Sequence, residues 1–180
     1  DGEKLTVLPS GRPLAVMIDN SPRARPQSGL MEADLIYEFP AEGGITRFMA
    51  VYYHGQADKV GPVRSARPYF MDQALGWDAV FVHVGQSPQS VAYYEIHKVD
   101  HIDEFSRSRA FWRDKTRKAP HNLYTSTALL KEMAANLNFE REVELSGFAF
   151  AGVTSSTLGK PANTIEIFYP EKLNRVQYQY

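Results

Sequence analysis

The apolar positions of this chain fall in short runs of strand length, separated by polar loops marked with proline and glycine. Pro13 to Ile18 is a continuous apolar run that ends in Asp19-Asn20-Ser21-Pro22, the pattern of a buried strand delivering a polar loop. Ala33 to Phe39 and Ile45 to Tyr53 are rich in aromatic and β-branched residues and read as two further strands. The paired glycines Gly43 and Gly44 between them suit a hairpin, so part of the sheet is predicted to be antiparallel.

Ser65 is predicted to cap a helix that stops at Gly76. Asp78 to Val84 is then an almost unbroken apolar strand, expected to be central and covered on both faces. Ser87 followed by Pro88 predicts a second helix start, with its end near Lys98. Asp100 to Tyr124 shows no clear period and reads as a long ordered loop. Thr125 or Ser126 caps a third helix that carries Leu129, Leu130, Met133, Ala134 and Leu137 on one face and ends near Asn138. Thr164 to Tyr169 and Arg175 to Tyr180 are strand-like, the second expected to lack a partner.

The predicted fold is therefore α/β: a mixed central sheet flanked by helices in a layered sandwich, followed by the start of a β-rich second unit. The boundaries are a polar leader (1–12), an α/β N-terminal domain (13–145), and a linker with the beginning of a truncated β-rich C-terminal domain (146–180). With 180 residues and 43% hydrophobic positions, a conventional core is expected. No run approaches the ~20 apolar residues of a membrane span. Asp1 is not an initiator methionine, so an upstream signal or lipid-attachment segment is expected to have been removed.

Twenty basic residues against 21 acidic ones leave no global field for nucleic acid, and none is expected as a partner. The run Arg107 to Lys118, with Phe111 and Trp112, has a composition that suits single strands or anionic glycan, but such a run is more often a solvated loop. The absence of cysteine excludes disulfides, thiolate catalysis and cysteine-held metals. The five histidines lack zinc spacing, and no nucleotide fingerprint occurs, so no cofactor is expected. His83, inside an apolar strand, reads as a hydrogen-bonded core residue.

Twelve of the 20 basic residues are arginines, whose planar fork suits phosphate or carboxylate. Arg23, Arg25, Arg47, Arg64 and Arg67 all fall in loops or at element ends. Arg64-Ser65-Ala66-Arg67 is placed at a predicted helix start, where free N–H groups favour an anion. The expected ligand site combines Asp19, Asn20, Arg25, Arg47, Arg64, Ser65, Arg67, His121 and Asn122. Glu38 and Glu42 are the candidate acid or base, Glu38 because burial in an apolar strand would raise its pKa. Against this stands the reading that these carboxylates and arginines are structural ion pairs. Asp19 with Asn20 makes a weak cation signal, and no metal ligand is assigned.

Pro13 to Asn20, Ala24 to Leu30, Glu42 to Phe48, Val60 to Arg67, His83 to Gly85 and Lys118 to Tyr124 together closely resemble the YerB-like bacterial lipoproteins, a family with a domain of unknown function. The resemblance implies export and a lipid anchor on the outer face of the cytoplasmic membrane; it supplies no reaction. A more distant similarity joins Thr46-Arg47-Phe48 and Arg64 to Arg67 with the LytR-CpsA-Psr phosphotransferases of envelope glycopolymers, whose arginines hold a lipid pyrophosphate. Thr46 and Ser65 or Pro68 stand where those enzymes present acids for magnesium, so Mg²⁺ enters only with that alternative. The leading expectation is an extracytoplasmic envelope domain that binds an anionic small molecule or cell-wall glycopolymer. The alternatives are a phosphotransferase or hydrolase at the same site, which leaves enzyme status open, and a protein–protein scaffold.

Overall fold

A computed structural model describes residues 11–145, 148, 162–170 and 175–179. Five strands make one mixed sheet in the order β2-β3-β1-β4-β5: β1 (Leu14–Asp19), β2 (Leu35–Pro40), β3 (Thr46–Tyr52), β4 (Val80–His83) and β5 (His101–Asp103). β3 runs antiparallel to both β1 and β2, whereas β4 runs parallel to β1 and β5. All six residues of β1 are buried, which is why its sequence is a continuous run rather than an alternation.

The two faces of β1 feed two cores. Leu14, Val16 and Ile18 pack with Phe111 and with Leu130 and Ala134 of α3 (Thr127–Asn136). Ala15 and Met17 pack with Phe70, Met71 and Ala74 of α1 (Pro68–Gly76), and Tyr93 and Tyr94 of α2 (Pro88–His97) close the same side. The result is a layered α/β sandwich. Phe70 and Phe81 are fully buried, each contributing about 2 kcal/mol relative to exposure.

Several expectations need correction. α1 starts at Pro68 with Arg67 as N-cap residue, not at Ser65. Proline fits the first helical position, and residues 63–66 are committed to the sheet instead. The predicted 100–124 loop contains β5, too short and polar to show in the pattern, and a small hairpin of β6 (Trp112–Arg113) and β7 (Leu123–Tyr124). The last strand does find a partner: β8 (Thr164–Ile167) pairs antiparallel with β9 (Val176–Gln179). The Gly147 to Gly159 stretch lies outside the described residues, Phe148 excepted.

One irregularity positions the site. β1 and β4 pair only over Leu14–Val16 against Val80–Val82, and beyond that the extended segment 63–66 fills the space between them. The Arg64 amide donates to the Met17 carbonyl (3.0 Å), the Val84 amide to the Arg64 carbonyl (3.1 Å), and the Ala66 amide to the Gly85 carbonyl (3.0 Å). Here the chain has finished one side of β1 and is about to build the other. Open α/β sheets bind their ligands at such switch points, beyond the carboxyl ends of the strands.

Gly61 sets up this wedge. Its φ is +145°, and an added Cβ would sit 2.8 Å from the Leu123 carbonyl oxygen and 2.9 Å from the Tyr124 ring. Gly61→Ala is therefore expected to destabilise the domain by about 1–3 kcal/mol, read as a lower urea midpoint at unchanged slope.

Candidate functional site

The carboxyl end of β1 delivers Asp19 and Asn20 into a polar network, both residues buried (1% and 4% exposed). Buried carboxylates persist only when paired and hydrogen-bonded. Asp19 meets that demand with one oxygen on the Ser21 amide (2.8 Å) and the other 2.7 Å from His121 Nδ1 and 3.1 Å from Arg64 Nε. Burial alone would raise the Asp19 pKa, but the Ser21 amide, His121 and Arg64 together hold it below the ordinary 3.8.

Asn20 ties three elements. Its amide nitrogen donates to Thr46 Oγ1 (2.7 Å) and Glu38 Oε1 (3.2 Å), and its oxygen accepts from Arg25 Nε (3.1 Å) and Gln27 Nε2 (2.8 Å). Thr46 in turn donates to Glu38 (2.5 Å). Glu38 lies half-buried on the edge strand β2 rather than in an apolar pocket, and its Oε1 is already taken.

Arg47 is 4% exposed and donates to the Ser65 carbonyl (2.8 Å); Ser65 contributes that oxygen. Glu42, on a 3-10 turn, reaches Arg47 (3.6 Å) and hydrogen-bonds Arg67 Nε. The Arg67 hydrogen bond draws the Glu42 pKa down to about 2. Burial lowers the Arg47 pKa, helped by its cationic neighbours Arg67 and Arg64. The ion-pair reading thus describes Arg47, Arg67 and Glu42 well: each has a partner, and Glu42 is a feeble base.

Arg64 differs. Its side chain is 26% exposed, and its buried Nε lies against Asp19 without the alignment of a hydrogen bond. Its terminal nitrogens meet no acceptor among the described residues. His121 lies beside it and lines a cleft of about 600 Å³ with Arg23, Thr116, Arg117, Lys118, Ala119 and Pro120. Arg117 donates to the carbonyls of Pro26 (3.0 Å), Arg23 (3.2 Å) and Arg25 (3.3 Å) and to the Tyr124 hydroxyl (2.6 Å). It straps the 23–26 loop to the cleft using only neutral oxygens. Arg23 and Lys118 are exposed and make no ion pair among the described residues.

Of the expected site residues, the fold thus gathers Asp19, Asn20, Arg25, Arg47, Arg64, Ser65, Arg67, Glu38, Glu42 and His121 at one end of the sheet. Asn122 turns away, accepting from Arg113 (3.1 Å) and donating to the Asp114 and Arg117 carbonyls. Gln27, Thr116 and Lys118 were not among the expected site residues. Lys118 lies in the basic run, while Gln27 and Thr116 carry no sequence signal. No group of acids and histidines suited to a metal occurs among the described residues. His83 is fully buried, as expected: Nδ1 donates to the Gly85 carbonyl (2.9 Å), and Nε2 faces Tyr94 (2.8 Å) and His101 (3.0 Å). Burial pushes its pKa down to about 4.

Comparison with known proteins adds a family to this geometry. The family described as "Protein of unknown function (DUF3048) N-terminal domain" matches residues 2–140. The chain belongs to that family. Over 176 residues it is 39% identical to "Putative lipoprotein YerB" of Bacillus subtilis (strain 168), a match covering 94% of this chain and 52% of that protein. The crystal structure of the Bacillus subtilis YerB protein superposes with a TM-score of 0.72 at 40% identity, over 78% of this chain and 49% of that one. The chain spans about half the length of these relatives. No helix among the described residues is long and apolar enough to cross a membrane.

Proposed function

We propose that this domain binds an anionic ligand, phosphate- or carboxylate-bearing, at the carboxyl end of β1, within an envelope lipoprotein held outside the cytoplasmic membrane. The observation that carries the reading is Arg64: a guanidinium anchored by Nε on buried Asp19, its terminal nitrogens unengaged among the described residues, beside a cleft whose cations Arg23, Arg117 and Lys118 have no carboxylate there. A planar fork with free N–H groups next to uncompensated charge is a receptor for an oxyanion. Glu42 keeps Arg47 and Arg67 as the wall of the site rather than its mouth. The lipoprotein setting is supported by the name of the Bacillus subtilis relative, and a soluble anion and an anionic wall glycopolymer share the chemistry this site would recognise.

Calorimetric titration with inorganic phosphate, pyrophosphate and citrate tests it. At least one of the three should bind, and Arg64→Gln should weaken it tenfold or more, a loss of about 1.4 kcal/mol or greater, with the fold retained because the Ser21 amide and His121 still hold Asp19. Binding should also fall as salt rises. Silence with all three anions, or equal affinity in Arg64→Gln, refutes the site.

A further inference from the structure

Among the groups at this site, one side chain is held as a reactive group is held rather than as a strut. His121 is anchored at Nδ1 by the buried Asp19 carboxylate (2.7 Å), with Ser21 Oγ at 3.4 Å. A carboxylate only accepts, so Nδ1 carries a proton, and in the neutral form of the ring the lone pair is on Nε2. Nε2 has no partner among the described residues, and the ring forms part of the cleft wall. The fully buried His83, by contrast, uses both of its nitrogens. Asp19 is itself fixed by the Ser21 amide and by Arg64, so the ring cannot swing without breaking a buried network.

We propose that His121 is a general base, oriented by Asp19, for hydrolysis of a phosphate ester held by Arg64 and the cations of the cleft. The assignment rests on the anion site proposed above. His121 Nδ1 and Arg64 Nε touch the same Asp19 oxygen, so the buried carboxylate brings the imidazole and the guanidinium to one end of β1. In the step, Nε2 takes a proton from a water as its oxygen bonds to phosphorus, and the ester P–O bond on the opposite side breaks. The departing alkoxide takes a proton from solvent, the imidazolium returns one, and the products are an alcohol and a phosphate with one ester fewer. Charge gathered on the phosphoryl oxygens is met by Arg64 and, at the rim, by Arg23 and Lys118. Glu38 and Glu42 are poorer bases here, the first occupied by Thr46 and Asn20, the second by Arg67.

The test uses bis(4-nitrophenyl) phosphate with the 180-residue chain, following nitrophenolate release, alongside calorimetry with inorganic phosphate. The wild type should release nitrophenolate above the buffer rate, and His121→Gln should lose about 100-fold in kcat while binding phosphate within about threefold, the size of effect expected for an acid–base group. Asp19→Asn, a positioning variant, should lower kcat with KM little changed and alter the pH profile. Absence of turnover by the wild type, or equal turnover by His121→Gln, overturns the catalytic assignment while leaving phosphate binding to be judged separately. Failure of the wild type to bind phosphate, pyrophosphate or citrate overturns the anion site itself.

Discussion

Asp19→Ala is expected to destabilise the domain by about 3–5 kcal/mol and to abolish anion binding, the most damaging substitution at the site. The Asp19 side chain is 2% exposed, and removing it leaves Arg64 Nε buried without a counter-charge, His121 without its anchor and the Ser21 amide without an acceptor. Loss of one partner of a buried pair is far more costly than the net worth of the pair, because the survivor keeps its desolvation penalty. The effect has a pH signature. The Asp19 pKa is lowered in the folded state, so its contribution is present above the unfolded value and is lost as pH falls through the folded one. Urea unfolding at neutral pH and again below about pH 4 should show the gap between wild type and Asp19→Ala shrinking with acid. A gap that stays constant or widens would show that the carboxylate is not what holds this end of the sheet.

The second large effect is at the opposite end. Arg12 is 4% exposed and donates to the Asp78 carbonyl (2.7 Å), Asp78 Oδ1 (2.9 Å), Asp100 Oδ2 (2.6 Å) and the Phe139 carbonyl (3.1 Å). It clasps the residues that precede β1, β4 and β5 and the segment after α3. Arg12→Ala leaves Asp78 and Asp100 with only the half-exposed Arg141, so a loss of about 2–4 kcal/mol is expected. β1 spans about 20 Å at the ordinary strand rise, so phosphate affinity should change less than twofold. Equal damage to stability and binding would mean that the two ends are coupled. The pair Arg12→Ala and Arg64→Gln thereby separates a folding defect from a site defect.

Much of the fold was legible because it follows local rules. The unbroken run of β1, the Gly43-Gly44 hairpin, the Ser87-Pro88 start and the Ser126 cap each carry their own signal, and the structure places each within a residue or two. What failed depended on distant partners. β5 has three residues, two of them polar, and is a strand only because β4 lies beside it. Residues 63–66 had the makings of a helix cap until the gap between β1 and β4 claimed their amides.

The site follows the same division. Arginines in loops could be counted, and Asp19, Arg64 and His121 were all named, but which cations are neutralised could not be read from spacing. Glu42 sits 25 residues from Arg67, and its choice of that partner leaves Arg64 with Asp19 alone, beside the histidine that lines the cleft. Arg12 gave no warning, since a single arginine between glycine and proline looks like leader sequence.

The wedge between β1 and β4 also bears on when the site comes into being. Its hydrogen bonds join Met17, Arg64 and Val84, residues far apart in sequence, and such long-range contacts form only after the intervening chain has been closed into loops. The β2–β3 hairpin and the helices need no such closure. Arg64 and His121 therefore come together only in the finished sheet, and a ligand held between them would act as a latch on a completed fold, with nothing to grip in a partly folded one.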